Sequence, residues 1–316
     1  MTTPSWPWQH LALALVVVMI WGTNFVAIKV ALEALPPLFL CALRFLLVAF
    51  PAVFFLRRPA IPVRLLLLYG LTMFGLHFGF LFLGMKLGVS AGLASLTLQF
   101  QVFVTLALAA TLLRERILPV QLLGALAACA GFVVVGLHTG GDVTLPGLIC
   151  VLLGATSWGF ANFTSKRLGR VHALSLVAWG SLVVPVPMGL ASLAFEGPGR
   201  IVQGLQMATG ATVFSVAYIV YGSTLVAYSL WSWLLVRHPA STVAPFTLLV
   251  PVLGLFSSAL LLNERLYAWK LYAAVLVILG LALNVFGPRW WRGRTNEPLP
   301  VTPPEPVSVE SPLRRE

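Results

Sequence analysis

The sequence predicts an all-α membrane protein of ten transmembrane helices, built as two inverted five-helix repeats, and three observations carry that prediction. The first is composition: 59% of the 316 residues are hydrophobic, only 9% are charged, and the mean hydropathy is +0.96. A soluble domain carries about 25% charged residues because its surface must be wetted. Lipid is therefore the main solvent of this chain. The second is run length: the apolar stretches are continuous and about 20 residues long, which is the length that crosses a hydrocarbon core of roughly 30 Å. A membrane β-barrel would instead alternate in segments of about 10 residues. The third is that the first half of the chain recurs in the second.

Apolar runs bounded by charge, Pro or Gly place the spans at 9–32, 37–56, 62–86, 91–112 and 118–138, then at 145–168, 174–195, 212–235, 242–262 and 267–287. Short connections make neighbours antiparallel. The first repeat is expected over 1–140 and the second over 141–287. After Pro288 the chain turns rich in Pro, Glu and Arg, so 288–316 is expected to be a disordered cytosolic tail. The N-terminus lacks a basic segment and a small-residue cleavage site, so it does not read as a removable signal.

The net charge of +11 does not indicate a nucleic-acid partner, because Lys and Arg are scattered between apolar runs and form no basic face. The charge reports topology instead. With the N-terminus inside, nine Lys and Arg fall in the inner connections, Arg57, Arg58, Lys166 and Arg237 among them, and five more in the tail, fourteen against five on the outer side: Lys29, Lys86, Arg200, Arg265 and Lys270. Positive residues mark the cytosolic side, so both termini are expected there. Cys41, Cys129 and Cys150 lie inside apolar runs without metal-ligand spacing. They read as packing residues, and no metal or cofactor is expected.

The repeat is explicit in the residues. Trp21-Gly22 is followed by Lys29, and Trp158-Gly159 is followed at the same spacing by Lys166. The fourth span ends Leu112-Leu113-Arg114-Glu115-Arg116, the ninth Leu261-Leu262-Asn263-Glu264-Arg265, and Gly131 matches Gly280 at the same offset of 149. Five is odd, so the second copy enters the membrane from the opposite side. Such inverted repeats permit alternating access around a site at the bilayer midplane.

These residues resemble the EamA-type branch of the drug/metabolite transporter superfamily. The resemblance rests on Trp21-Gly22-Thr23-Asn24-Phe25 and Trp158-Gly159-Phe160-Ala161-Asn162-Phe163, on Leu43-Arg44-Phe45, on Ala91-Gly92-Leu93-Ala94-Ser95-Leu96, and on Val243-Ala244-Pro245 with Leu249-Val250-Pro251. It spans about residues 10–287. It implies a multi-pass transporter of the bacterial-type inner membrane that exports small amino acids or amino-acid metabolites of the cysteine and O-acetylserine kind. The implied cycle is alternating access, as a uniporter or a proton antiporter. The same fold carries other solutes (phosphate esters, nucleotide sugars, drugs), which is the alternative reading. The expected partners are a small-molecule substrate and membrane lipid.

Polar groups inside a span are costly unless they are partnered or face water, so they mark candidate pathway residues. His77 sits mid-span between Gly75 and Gly79, in a G-x-x-x-G that also favours close helix packing. In the fourth span Thr97, Gln101 and Thr105 share one face, while Gln99 points with Ser95 to another. Tyr221, Thr224, Tyr228 and Trp231 fall at i, i+3, i+7 and i+10 of the eighth, which is one helical face. Aromatic rings with polar edges can enclose a zwitterion. Trp21 with Asn24 and Trp158 with Asn162 form matching pairs on the first and sixth spans. Arg44 and Lys29 are the deepest charges of the outer half. Arg44 could hold a carboxylate, or snorkel and pair with Glu33. Glu115 and Glu264 are expected to pair with Arg114, Arg116 and Arg265, and Pro185, Pro187, Pro245 and Pro251 to bend their helices.

Gly88-Val89-Ser90-Ala91-Gly92 matches G-x-S-x-G, the nucleophile elbow of serine hydrolases. That elbow needs a strand before it, a helix after it, and a nearby base and acid. Here it joins two membrane helices, so a membrane hydrolase using Ser90 is the least favoured reading, and the chain is not expected to be an enzyme.

Overall fold

The computed structural model describes residues 7–295 apart from 113, 116 and 170. Ten helices are long and apolar enough to cross a membrane: α1 Trp8–Ala34, α2 Pro37–Phe55, α3 Val63–Lys86, α4 Ala91–Leu112, α5 Pro119–Leu137, α6 Leu145–Arg167, α7 Ala173–Glu196, α8 Gly210–Arg237, α9 Ala244–Leu262 and α10 Ala268–Thr295. A short helix, Pro198–Gln206, lies between α7 and α8. The chain is thus a multi-pass membrane protein with the expected fold class. Most boundaries fall within two residues of those expected, but α10 continues through Pro288 to Thr295, eight residues past the end expected from composition. Residues 296–316, the remainder of the expected tail, lie outside the described residues, as do Arg116 and Arg170 of the charge count.

The ten helices cross in alternation, so α1 begins and α10 ends at one face, here the near face; the opposite one is the far face. Several helices are interrupted in their middles. α4 breaks at Leu98–Gln99, between Ala91–Thr97 and Phe100–Leu112. Its repeat counterpart, α9, opens with a 3₁₀ turn, Ala244–Leu248, that holds Pro245, and a four-residue helix, Ala240–Val243, precedes it. α3 and α8 each contain a π-helical stretch, Leu71–Leu76 and Tyr218–Val226. α7 is broken just before Pro185. Helix interruptions at membrane depth free backbone groups that only protein or a water-lined cavity can satisfy. Their midplane position marks where the two halves meet.

Packing reproduces the inverted repeat atom by atom. A Cβ on Gly159 of α6 would stand 2.6 Å from Val104 of α4, and Gly22 of α1 meets Leu253 of α9 in the same way. Val104 and Leu253 are 149 residues apart, the offset read from the sequence. Gly131 abuts Val277 where Gly280 abuts Ala128, closing α5 on α10. Arg114 and Asn263 both adopt φ 54°, and the amides that follow them donate to equivalent carbonyls, Glu115 to Ala109 (3.2 Å) and Glu264 to Ser258 (3.4 Å).

The two faces are not equally closed. On the far side Ala91–Thr97 is buried throughout. Gly92 faces Leu255 and Ser258 there, and Gly254 faces Ser95, so α4 and α9 touch nearly backbone to backbone. On the near side only Phe103 and Ala109 of Phe100–Leu112 are buried. α4 and α9 thus pack closely at the far end, whereas the near half of α4 packs against α6.

Candidate functional site

At the centre of the bundle α2 presents Arg44, whose guanidinium is fully buried. It does not snorkel and does not pair with Glu33, which is exposed. The reason is its surroundings: the group lies 4.1 Å from the Phe78 ring centroid, with Phe45 and Phe82 nearby, and its Nη2 donates to Thr224 Oγ1 of α8 at 3.0 Å. Thr224 in turn donates to the Ile219 carbonyl at 2.8 Å, inside the π-helical stretch. Among the described residues nothing accepts a hydrogen bond from Arg44 Nε or Nη1. A cation at mid-membrane costs about 2.5–3.5 kcal/mol on insertion scales, and each unfilled buried donor adds about 1–3 kcal/mol.

Around Arg44 the sequence candidates assemble from both halves. His77 Nδ1 donates to the Gly154 carbonyl of α6 at 3.1 Å; a carbonyl only accepts, so Nδ1 carries the proton. The His77 ring packs against Phe78 and Trp158, at 4.3 and 4.9 Å between centroids. Trp21 of α1 donates its indole N–H to the Ser223 carbonyl of α8 at 3.2 Å and meets the rings of Tyr228 (5.4 Å) and Trp231 (5.2 Å). Each repeat tryptophan therefore leans on the third helix of the opposite half. Tyr228 lies within electrostatic reach of Arg44. Asn162 donates to Gln101 at 2.7 Å and to Thr105 at 3.3 Å, tying α6 to α4 just below its break. Both amides are part-buried, and each helps to satisfy the other.

Other expectations are redirected. Tyr221 does not join Thr224, Tyr228 and Trp231: it is 47% exposed, because the π-helical winding of Tyr218–Val226 breaks the 3.6-residue register on which a shared face depends. Gln99 sits part-buried at the α4 break. Asn24 is buried, with its Oδ1 unpartnered. Lys29 is committed to the Met85 carbonyl (3.2 Å), a tie between α1 and the end of α3. The G-x-x-x-G of α3 does not close onto a helix along its length. Gly75 and Gly79 instead line a cavity of about 790 Å³ in the far half, with Met188 and Phe195 of α7 opposite. Ser90 lies between two helices with its Oγ unpartnered, and no strand precedes it.

The charges at helix ends take other partners among the described residues, and Arg116, one of those expected for Glu115, lies outside them. Glu264 accepts from the amides of Ala91 (2.7 Å) and Gly92 (3.2 Å), capping α4 at the far face. Glu115 pairs with Lys166 of α6 at 3.1 Å in an exposed bridge. Three further features escaped the sequence reading. Thr224 is the acceptor for Arg44; Glu196 caps α2 through Leu38 and Phe39 (2.7 and 3.1 Å); buried Lys270 holds Asp142 at 2.7 Å. The placement of Thr224 four residues before Tyr228 on a polar stripe was the one available signal among them.

Comparison with known proteins agrees with this architecture. The model of the EamA-like transporter family matches residues 8–137 and 145–286. A protein of Escherichia coli K12 named "Probable amino-acid metabolite efflux pump" is 44% identical over 284 residues, covering 88% of this chain and 95% of its own. A Salmonella typhimurium protein of the same name is 45% identical, with 87% and 94% covered. A solved crystal structure, 21% identical and superposing with a TM-score of 0.61 over 90% of this chain and 98% of its own, has the same fold. With both halves matched by one family model and two relatives above 40% identity over nearly their whole length, the chain belongs to the EamA-like transporter family.

Proposed function

We propose that this transporter moves small amino acids or amino-acid metabolites, of the cysteine and O-acetylserine kind, out of the cell across the inner membrane. The near face, which gathers the positive charge, is the cytosolic one, and both termini lie there. Solute enters from that side to a site framed by Arg44, His77, Trp158, Trp21 and Tyr228, with Gln101 and Asn162 at its mouth. A rocking motion of the halves then opens the far side.

The observation that carries this reading is Arg44, with two unfilled donors and no acidic partner among the described residues at the point where both halves converge. A carboxylate, common to all amino acids, accepts two such donors side by side. The names of the two relatives support the same class of solute. Phosphate esters and nucleotide sugars carry more negative charge than one guanidinium matches, and Lys29 is already engaged. No Asp or Glu lies in the middle of a span, so a proton antiporter would lack the usual carrier. A uniporter running down a metabolite gradient has no such need.

The test is counterflow in proteoliposomes with labelled cysteine, O-acetylserine, threonine and aromatic amino acids. At least one of the first two is expected to exchange several-fold faster than in protein-free vesicles; exchange of none of them overturns the assignment. In the same assay Asn162→Leu should raise KM several-fold. Stability should fall by only about 0.6 kcal/mol, the mean for interhelical hydrogen bonds in membranes. An unchanged KM would place the Asn162–Gln101 pair outside the pathway.

A further inference from the structure

The two repeats present the same glutamate in the same backbone setting and use it differently. Glu115 and Glu264 each follow a residue at φ 54°, and each amide returns to the carbonyl six residues earlier. At the far face the Glu264 carboxylate reaches across to the amides of residues 91 and 92, at the start of α4. The repeat counterparts of those amides, at the offset of 149, are the amides of residues 240 and 241, in the short helix Ala240–Val243 just ahead of α9. The first amides of a helix have no partner within it, and a carboxylate there is held by two hydrogen bonds and by the helix dipole. Glu115 is not seated there. It is drawn aside by Lys166, whose own counterpart, Lys29, is bound instead to the Met85 carbonyl.

The difference in the glutamates coincides with the difference in packing. Where Glu264 caps its partner span, α4 and α9 interlock through Gly92, Ser95, Gly254 and Ser258. Where Glu115 does not, the near half of α4 packs against α6. We propose that Glu115 is the latch of the near gate: when the far side opens, Glu115 leaves Lys166 and caps residues 240 and 241, and Ala109 closes on residue 241 as Ser258 now closes on Gly92. Lys166 is then free for the Leu234 carbonyl, the counterpart of Met85. Glu264 is the matching latch of the far gate. Two identical devices, one shut at a time, give each face a closed state of similar stability without an external ligand. This rests on the alternating-access reading, yet it is independent of which solute is carried.

The test is a disulfide across the near gate. In a chain with Cys41, Cys129 and Cys150 replaced by Ala, Ala109→Cys and Ser241→Cys are oxidised in liposomes without solute, and the linked peptide is quantified by mass spectrometry. The pair is expected to link and, once linked, to block transport. Glu115→Gln should slow linking at least tenfold. Glu264→Gln should speed it by loosening the far gate, and Lys166→Gln should speed it by releasing Glu115. Failure to link in every variant overturns the gate contact. Linking at a rate indifferent to both Glu115→Gln and Lys166→Gln overturns the role of Glu115. Because no solute is present, failure of amino acids to exchange in counterflow would leave either result standing.

Discussion

Arg44→Met is expected to fold as well as the parent protein, or better, and to lose transport. The substitution keeps the volume and apolar contacts with Phe78 and removes a charge that nothing in the described residues neutralises. Replacing buried charge by a well-packed apolar side chain is commonly neutral or stabilising, by about 1–4 kcal/mol. If the guanidinium receives the solute carboxylate, removing it costs about 2–5 kcal/mol of binding, or roughly 30-fold to several thousand-fold in affinity. The measurement is thermal stability in detergent beside kcat/KM in proteoliposomes. Arg44→Lys should be intermediate, since a single ammonium offers a point charge in place of the two-pronged fork. A structural role predicts the opposite pairing, with lost stability and retained kcat/KM.

Gly254→Val is expected to hold the far gate open. The added side chain enters the space of Ser95, at the closest approach of α4 and α9. Neither backbone can retreat while Glu264 is bound at residues 91 and 92. Overpacking at such a site costs about 1–3 kcal/mol, which moves a two-state equilibrium about 5- to 150-fold toward the far-open state. The cost falls on one state only, so transport should drop by at least tenfold while the folded protein persists. A cysteine placed at Ser257, buried in the closed gate, should then react with an impermeant maleimide from the far side. Equal labelling with and without Gly254→Val would show that this contact does not govern access.

What the sequence disclosed and what it hid follow from the range of the forces concerned. Helix number, topology and the inverted repeat depend on hydropathy summed over twenty residues and on motifs kept at fixed spacing, both of which survive in one dimension. Breaks at Leu98–Gln99 and before Pro185 were foreshadowed by polar residues and proline. The structure pairs some candidates across the halves, Trp21 with Tyr228 and Trp231, His77 with Trp158, and Gln101 with Asn162, and each was picked out because polarity at mid-span is expensive wherever the chain is folded. Tyr221 failed because a π-helical stretch is a change of winding, which periodicity arguments assume away. The charges took other partners for another reason. For Arg44 one of two readings paired it with the nearest acid in sequence, Glu33, and the two glutamates were expected at neighbouring arginines, whereas among the described residues these long side chains reach partners far along the chain: Thr224, Lys166 and the start of α4. Offset matching between repeats would have found the amides for Glu264, since the same reasoning locates the seat proposed for Glu115.

The central claim is that Arg44 anchors a carboxylate in a site shared by the two halves. It is tested most directly by competition in counterflow, with the exchanging amino acid set against its own methyl ester as unlabelled competitors. The two differ only at the group Arg44 would hold. The account predicts that the free acid competes and the ester does not, and that Arg44→Met abolishes this difference. Equal competition by acid and ester in the parent protein would contradict it.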